Sequence, residues 1–238
     1  RAGISINMYM FHGGTTRGFM NGANFKDGTP YEPQISSYDY DAPLDEAGNA
    51  TDKFFAFRNV IKKNLPANVT LPAVPAKKPA ISIPNIKLTS SYPVLSHNLP
   101  TPKRSLNPLA FADLHPHYGF VLYRTKVQGG KTGTLRLNGL RDFAVVMVNG
   151  TRVGTLDRRV NQDSLTVMLP EGQVVLDILV ENLGRINFGK YLLQNKKGLT
   201  GKVIFAGSEL QHWSMYGLPF DNIDALKYST ASNKTNQP

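Results

Sequence analysis

Phe143-Ala144-Val145-Val146-Met147-Val148-Asn149-Gly150-Thr151-Arg152-Val153-Gly154-Thr155-Leu156 holds two runs of strand-forming residues separated by Asn-Gly. Asn-Gly accepts the positive φ angles of a two-residue turn whose twist matches the flanking strands, so the stretch predicts a β-hairpin. The pattern repeats outward on both sides. Gly119–Val127, Gly133–Leu137, Ser164–Leu169, Val174–Glu181, Lys202–Phe205 and Leu210–Met215 read as further short strands. Turn signals recur between them at roughly 8–12 residues, which predicts a β-sandwich or jelly roll over residues 113–220. Residues 221–238 read as a polar tail.

Upstream the chain changes character. Nine of the 16 prolines fall between Leu65 and Pro108. Val69–Val74 and Ile81–Leu88 have the composition of short edge strands, but proline lacks the N–H that a central strand donates. Residues 65–112 read as an extended connector along the surface of a neighbouring domain, with a free linker as the alternative. Before it, Thr51-Asp52 opens a helix signal, with Phe54, Phe55, Phe57, Val60 and Ile61 at helical spacing. Residues 1–12 read as a strand. Ile4, Ile6, Met8 and Met10 alternate with Ser5, Asn7, Tyr9 and Phe11, and neither face is strongly polar, which suits a strand covered on both sides. It ends at His12-Gly13-Gly14-Thr15-Thr16, where a glycine pair lets the backbone turn sharply or approach another group closely. Residues 17–50 form a long loop rich in Tyr, Phe, Asn and Asp, and long irregular loops commonly carry function. Strand, loop and helix make one βα unit over residues 1–64, so the fold class is α/β followed by all-β.

Composition narrows the function classes. In 238 residues, 41% are hydrophobic and only 18% charged, enough for a core and too few charges for a disordered chain. The lack of cysteine excludes disulfide scaffolds, thiol catalysis and zinc–thiolate sites. The net charge of +10 is uneven: residues 1–60 carry 5 basic and 7 acidic side chains, residues 61–238 carry 22 and 10. No run of five like charges and no RRM, KH or zinc-finger spacing accompanies it, so a solvated basic surface is expected and no nucleic-acid partner. No uncharged apolar run reaches the roughly 18 residues of a membrane span, and no membrane partner is expected. No nucleophile elbow, P-loop or dinucleotide fingerprint is present, and no cofactor is expected.

The distinctive polar stretch is Ser37-Tyr38-Asp39-Tyr40-Asp41-Ala42-Pro43. If extended, it places both tyrosines on one side and both aspartates on the other. Tyrosine offers a ring face to the apolar side of a sugar and a hydroxyl to its polar rim. The alternative is a loop pinned by its own Asx turns and tyrosine packing. Asp39 and Asp41 sit at a spacing close to that of a retaining glycosidase pair, but they would lie side by side rather than flank a scissile bond, which argues against catalysis. His115 and His117 lack a third ligand and read as structural, so no metal is expected. Trp213, the sole tryptophan, reads as a core residue. Asn49, Asn68, Asn149 and Asn233 head Asn-x-Thr sequons.

Asn7-Met8-Tyr9-Met10-Phe11-His12-Gly13-Gly14-Thr15, Asn21-Gly22-Ala23-Asn24 and Ser37-Tyr38-Asp39-Tyr40-Asp41-Ala42-Pro43-Leu44-Asp45-Glu46-Ala47-Gly48 resemble, in order and spacing, a segment of the glycoside hydrolase family 35 β-galactosidases. Tyr118-Gly119-Phe120-Val121-Leu122-Tyr123-Arg124-Thr125 and Leu179-Val180-Glu181-Asn182-Leu183-Gly184-Arg185-Ile186-Asn187-Phe188-Gly189 resemble two later motifs of the same family. The family commonly has Gly-Gly-Thr-Asn-Phe where this chain has Gly13-Gly14-Thr15-Thr16-Arg17.

The resemblance implies the C-terminal part of a (β/α)8 barrel, here its last strand, loop and helix, followed by a galactose-binding-like jelly roll. A complete barrel takes about 250 residues. It implies a retaining exo-β-galactosidase that hydrolyses terminal β-D-galactosides with two glutamates expected upstream of Arg1, so no catalytic residue is assigned to this chain. Glu32 and Glu46 do not match the family's catalytic motifs. The substrate-binding residues that the resemblance implies are Tyr40, which matches a galactose-contacting tyrosine, Tyr9 on the pocket wall and Tyr38 in the same loop. The expected partners are a galactoside and the missing barrel segment or a partner chain, with self-association through residues 1–60 as a further expectation. An extracytoplasmic or lysosomal setting is implied. The alternative function is a non-catalytic carbohydrate-binding or structural module.

Overall fold

The computed structural model describes residues 3–95 and 99–230. They form two compact units. One holds the residues up to Arg17 together with Ile35–Lys87, and the other holds Gly18–Gln34 and the residues from Leu88 on. The long loop is thus shared: its two ends belong to the first unit and its middle to the second.

The first unit has one regular element, helix α1 (Asp52–Asn64). Thr51 caps it, its Oγ1 accepting from Phe54 N–H, with Asp52 in the first turn and Lys62 and Lys63 in the last, where each charge suits the helix dipole. Leu65 precedes Pro66 and is extended, which ends the helix. The apolar stripe is present, but no residue of α1 is buried. The strand expected over residues 1–12 is not formed in its described part. Residues 3–11 are irregular, and the backbone at their end is tied down by a parallel bridge from His12 to Leu44 and a Leu44 N–H bond to Phe11 O. A strand persists where neighbours take up its backbone groups, and no strand of this unit runs beside it. Val69–Val74 and Ile81–Leu88 form no strands either. Pro72, Pro75, Pro79 and Pro84 interrupt the donors, and Ile81, Ile83 and Leu88 lie exposed.

The second unit is a β-sandwich with an attached loop. Its elements are β1 (Gly22–Asn24), β2 (Glu32–Pro33), β3 (Ser90–Ser91), β4 (Lys103–Ser105), helix α2 (Phe111–Leu114), β5 (Phe120–Gln128), β6 (Lys131–Leu137), β7 (Leu140–Arg141), β8 (Phe143–Val148) and β9 (Thr151–Asp157). They continue with β10 (Ser164–Leu169), β11 (Gln173–Glu181), β12 (Arg185–Ile186), β13 (Gly198–Leu199), β14 (Val203–Phe205), β15 (Ser208–Glu209), β16 (Trp213–Leu218) and β17 (Ser229–Thr230). One antiparallel sheet runs β4-β16-β5-β11-β8-β9 and the other β10-β6-β14-β15. Leu135, Val146, Leu156, Ile178 and Trp213 belong to the core of buried side chains. The β8–β9 hairpin closes through Val148 opposite Thr151, with Asn149 at φ 49° and Gly150 at φ 80°, as its Asn-Gly predicts.

Three features depart from the expectation. The strand expected at Leu210–Met215 is Trp213–Leu218. Leu210 N–H still bonds Val203 O on the four-stranded side, His212 then takes φ 61°, and the chain joins the six-stranded sheet at Trp213. Trp213 is core, its Nε1 donating to Leu210 O at 3.0 Å. Part of the proline-rich stretch is sheet: β4 pairs with β16, and Val94, Leu95 and Leu99 cover the outer face of the six-stranded sheet around Leu122, Met147 and Leu218. The tail begins with structure, since Ser229–Thr230 pairs with Ser90–Ser91; residues 231–238, including the Asn233 sequon, lie outside the described residues.

The loop segment Gly18–Gln34 is fastened to the sandwich. β1 pairs in parallel with β12 and antiparallel with β2, and Tyr31, Ala23 and Ile186 form a small core. Beneath Tyr31 lies a buried ion pair: Lys197 Nζ donates to Asp142 Oδ2 at 2.6 Å and to the Tyr31 hydroxyl at 2.7 Å. Arg158 Nη1 donates to Asp142 Oδ1 at 2.9 Å, and Leu183 N–H to Oδ2 at 3.0 Å. Burial pushes the Lys197 ammonium down to about 8 against the pull of Asp142, and burial raises the Tyr31 phenol.

Candidate functional site

In the first unit the chain from Gly13 to Thr16 lies antiparallel to Ser36–Tyr38. Thr15 bridges Ser37, Thr16 N–H donates to Ser36 O at 2.8 Å, and Tyr38 N–H donates to Gly14 O at 3.0 Å. Gly13 meets the close approach that its glycine pair suggests, because a Cβ there would lie 1.7 Å from Tyr38 O. Beyond Tyr38 the segment is not extended throughout. Tyr40 and Asp41 take φ 60° and 49°, and Ala42 N–H turns back to Asp39 O at 3.3 Å. Aspartate tolerates the left-handed region through its short polar side chain, whereas a tyrosine there must be held by its surroundings. Lys53, in the first turn of α1, does part of that: its Nζ donates to both Asp41 O and Asp41 Oδ2 at 2.5 Å.

The turn brings Tyr9, Tyr38 and Tyr40 together. The Tyr9 and Tyr40 rings meet edge to face with centroids 5.5 Å apart, and those of Tyr38 and Tyr40 lie 5.4 Å apart. The Tyr9 and Tyr38 hydroxyls are 3.4 Å apart, and this hydrogen bond raises the Tyr9 phenol, which stays neutral. Tyr9 and Tyr40 are exposed and Tyr38 is half-buried. Beside them opens a mainly apolar cavity of about 620 Å³, lined by Tyr9, Tyr40, Met8, Phe11, Phe54, Phe57 and Ile61 among others. Exposed rings with hydroxyls at their rim can cover the C–H face of a sugar and donate to its oxygens.

Three nearby carboxylates hold the loop. Asp41 is paired with Lys53, and Asp45 accepts from Asn49 N–H at 2.8 Å. Glu46 accepts from Thr15 Oγ1 at 2.5 Å and from Ser37 Oγ at 2.6 Å, and these bonds hold its carboxyl below the usual range. The roles of Glu46 and Lys53 escaped sequence reasoning, since neither spacing nor residue type announces a contact across 31 or 12 positions. His115 ends α2 at φ 69°, and the backbone carbonyl of His117 accepts from Asn182 and Arg185. Among the described residues no three His, Asp or Glu side chains are grouped so as to hold a metal, and no helix is long and apolar enough to cross a membrane.

Two family profiles match the sequence. "Glycosyl hydrolases family 35" matches residues 1–64 and "Beta-galactosidase, first all-beta domain" matches residues 108–219. The tyrosines lie in the first and the sandwich core in the second. The chain is 42% identical over 229 residues to a protein of Xanthomonas manihotis named beta-galactosidase, which covers 95% of this chain and 38% of that protein. It is 40% identical over 233 residues to a human beta-galactosidase, covering 94% and 33%, and 35% identical over 242 residues to beta-galactosidase 1 of Dictyostelium discoideum, covering 92% and 36%. The chain thus spans about a third of the length of these relatives, 33% to 38%.

Proposed function

We propose that this chain, which belongs to glycoside hydrolase family 35, forms part of a retaining exo-β-galactosidase acting on terminal β-D-galactosides. The observation that carries the reading is the meeting of Tyr9, Tyr38 and Tyr40, from segments 29 residues apart, as an exposed aromatic cluster within the family 35 segment. In this reading the segment is the last βα portion of a (β/α)8 barrel, whose strand-end loops carry the active site. Residues 3–11 would become its strand once flanked by the rest of the barrel, and the apolar stripe of α1 would be covered. The tyrosines shape the galactose pocket and the sandwich supports it. The nucleophile and the acid/base are two glutamates supplied by sequence outside this chain.

Retaining hydrolysis requires two carboxyl groups about 5–5.5 Å apart on opposite sides of the bond, one to attack and one to protonate the leaving oxygen. In the tyrosine loop Asp41, Asp45 and Glu46 are instead bonded to Lys53, Asn49, Thr15 and Ser37. The 238-residue chain alone is therefore expected not to hydrolyse an aryl β-galactoside, and addition of the remaining barrel sequence is expected to confer turnover. Turnover of about 1 s⁻¹ by the chain alone, within the ordinary enzyme range, would overturn the reading. In the complete enzyme, Tyr40→Phe is expected to lower kcat/KM by roughly 1–3 kcal/mol of transition-state stabilisation, as for a lost partner in a desolvated site.

A further inference from the structure

The tyrosine turn hangs from a narrow neck. Thr15 and Ser37 face each other across a single bridge, flanked by the bonds from Thr16 to Ser36 and from Tyr38 to Gly14. Two strands so short are not stable unaided. Glu46 reaches this neck from a separate turn. One carboxylate oxygen accepts the Thr15 hydroxyl and the other accepts the Ser37 hydroxyl, so a single side chain ties together the two directly opposed residues. Hydrogen bonds to an ionised acceptor are about twice as strong as neutral ones. Glu46 is itself fixed. Asp45 and Asn49 close the turn around it, with Asp45 N–H donating to Asn49 O at 2.9 Å and Asn49 N–H to Asp45 Oδ1 at 2.8 Å. Its backbone carbonyl lies 3.3 Å from His12 Nε2. Ser37 is followed directly by Tyr38, whose ring packs on Tyr40.

We infer that Glu46 is the positioning residue of the tyrosine cluster: by clasping Thr15 to Ser37 it sets where Tyr38 and, through their ring contact, Tyr40 stand. Its consequence for turnover rests on the proposed role of these tyrosines, whereas its consequence for structure does not. The clasp needs an acceptor for each hydroxyl or a group that can serve both. Glutamine can, because its carbonyl accepts from one hydroxyl while its amide donates to the other. Alanine cannot.

The first measurement is NMR of this chain with labelled tyrosines. Glu46→Ala is expected to abolish the ring-to-ring contacts of Tyr38 with Tyr40, and Glu46→Gln to keep them, with the Trp213 indole signal unchanged in both. Persistence of the contacts in Glu46→Ala overturns the inference. If Glu46→Ala also loses the Trp213 signal, the double variant Thr15→Val, Ser37→Ala decides, since it removes both hydroxyls and leaves Glu46: kept ring contacts overturn the inference and lost ones support it. The second measurement is kcat/KM on an aryl β-galactoside in the enzyme that contains this segment. Glu46→Ala is expected to lower it roughly 10- to 100-fold, the cost of misplacing a positioning group. Glu46→Gln is expected to stay within about threefold of the parent, since it retains the hydrogen bonds. Lost ring contacts with unchanged turnover would uphold the clasp and remove the tyrosines from the site. Lost turnover with intact ring contacts would overturn the clasp.

Discussion

The two units contain the same kinds of residues and treat them in opposite ways. In the sandwich, Leu135, Val146, Leu156 and Ile178 are wholly withdrawn from solvent. In the first unit no residue of α1 is buried, and Ile4, Ile6, Met8 and Phe11 stand exposed. The charges show the same contrast. Asp142 and Lys197 pair at 2.6 Å with both side chains fully buried, while Asp41 and Lys53 pair at 2.5 Å with the Asp41 side chain 91% exposed. A pattern of apolar or charged residues selects a face. Whether that face is worth free energy depends on the environment that closes over it.

That contrast can be tested by substitution. The largest effect is expected at Asp142. Asp142→Ala leaves Lys197 buried without its counter-charge and should cost about 3–5 kcal/mol. Trp213 is the only tryptophan and lies in the sandwich core, so its fluorescence during urea unfolding reports this unit. The matching change Asp41→Ala is expected to leave the helical circular dichroism signal of the first unit where it was, because exposed pairs add little. An equal loss at both sites would break the comparison.

Next is the core itself. Leu135→Ala should cost roughly 2–5 kcal/mol, the removed methyl groups plus the cavity they leave. Phe57→Ala, on the exposed stripe of α1, should cost less than about 1 kcal/mol by the helical circular dichroism signal.

The buried lysine gives the pH dependence. Its pKa is about 8 in the folded chain against an ordinary value of 10.5. Below pH 8 both states hold the proton. Above that, the folded state releases a proton that the unfolded state keeps, so this group adds stability as the pH rises from 8 towards 10. Above pH 10 the buried phenols of Tyr31 and Tyr123, both raised by burial, work in the opposite direction. Comparison of the parent with Lys197→Met across pH 8–10 is expected to show the rise only in the parent, and parallel curves would refute it. The smallest effect is at the helix cap. Thr51→Ala should weaken α1 by about 1 kcal/mol through loss of the bond to Phe54 N–H, read as lower helicity.

Much of the second unit was legible in its sequence. The strands Phe143–Val148 and Ser164–Leu169 occur with the bounds read from alternation and turn residues, and Asn149-Gly150 turns as its φ preferences require. Local rules suffice there because each strand's partners follow within the chain. The exception at Leu210–Met215 comes from His212, whose left-handed backbone is set by the passage between sheets and carries no mark in residue type. In the first unit the cap at Thr51 was readable, but the strand read over residues 1–12 is not formed in its described part, residues 3–11, since alternation states what a segment can pair with and not whether a partner is there. The tyrosines of the candidate site were found through the resemblance of their motif. The alternation left two readings open there, an extended stretch or a loop pinned by its own turns and tyrosine packing, and the turn at Tyr40-Asp41 with its packed rings follows the second.

What the amino-acid order determined alone is therefore local: the hairpin at Asn149-Gly150, the capped start of α1, the proline-blocked stretch before the sandwich and the motif that carries Tyr38 and Tyr40. These depend on φ preferences, missing donors and side-chain period, all of which act within a few residues. The tertiary structure alone decided the long-range facts. It fastened Gly18–Gln34 to the sandwich over Asp142 and Lys197, and it set Glu46 between Thr15 and Ser37. Ion pairs and hydroxyl–carboxylate bonds are short-ranged in space and indifferent to separation along the chain, so only folding brings their partners within reach.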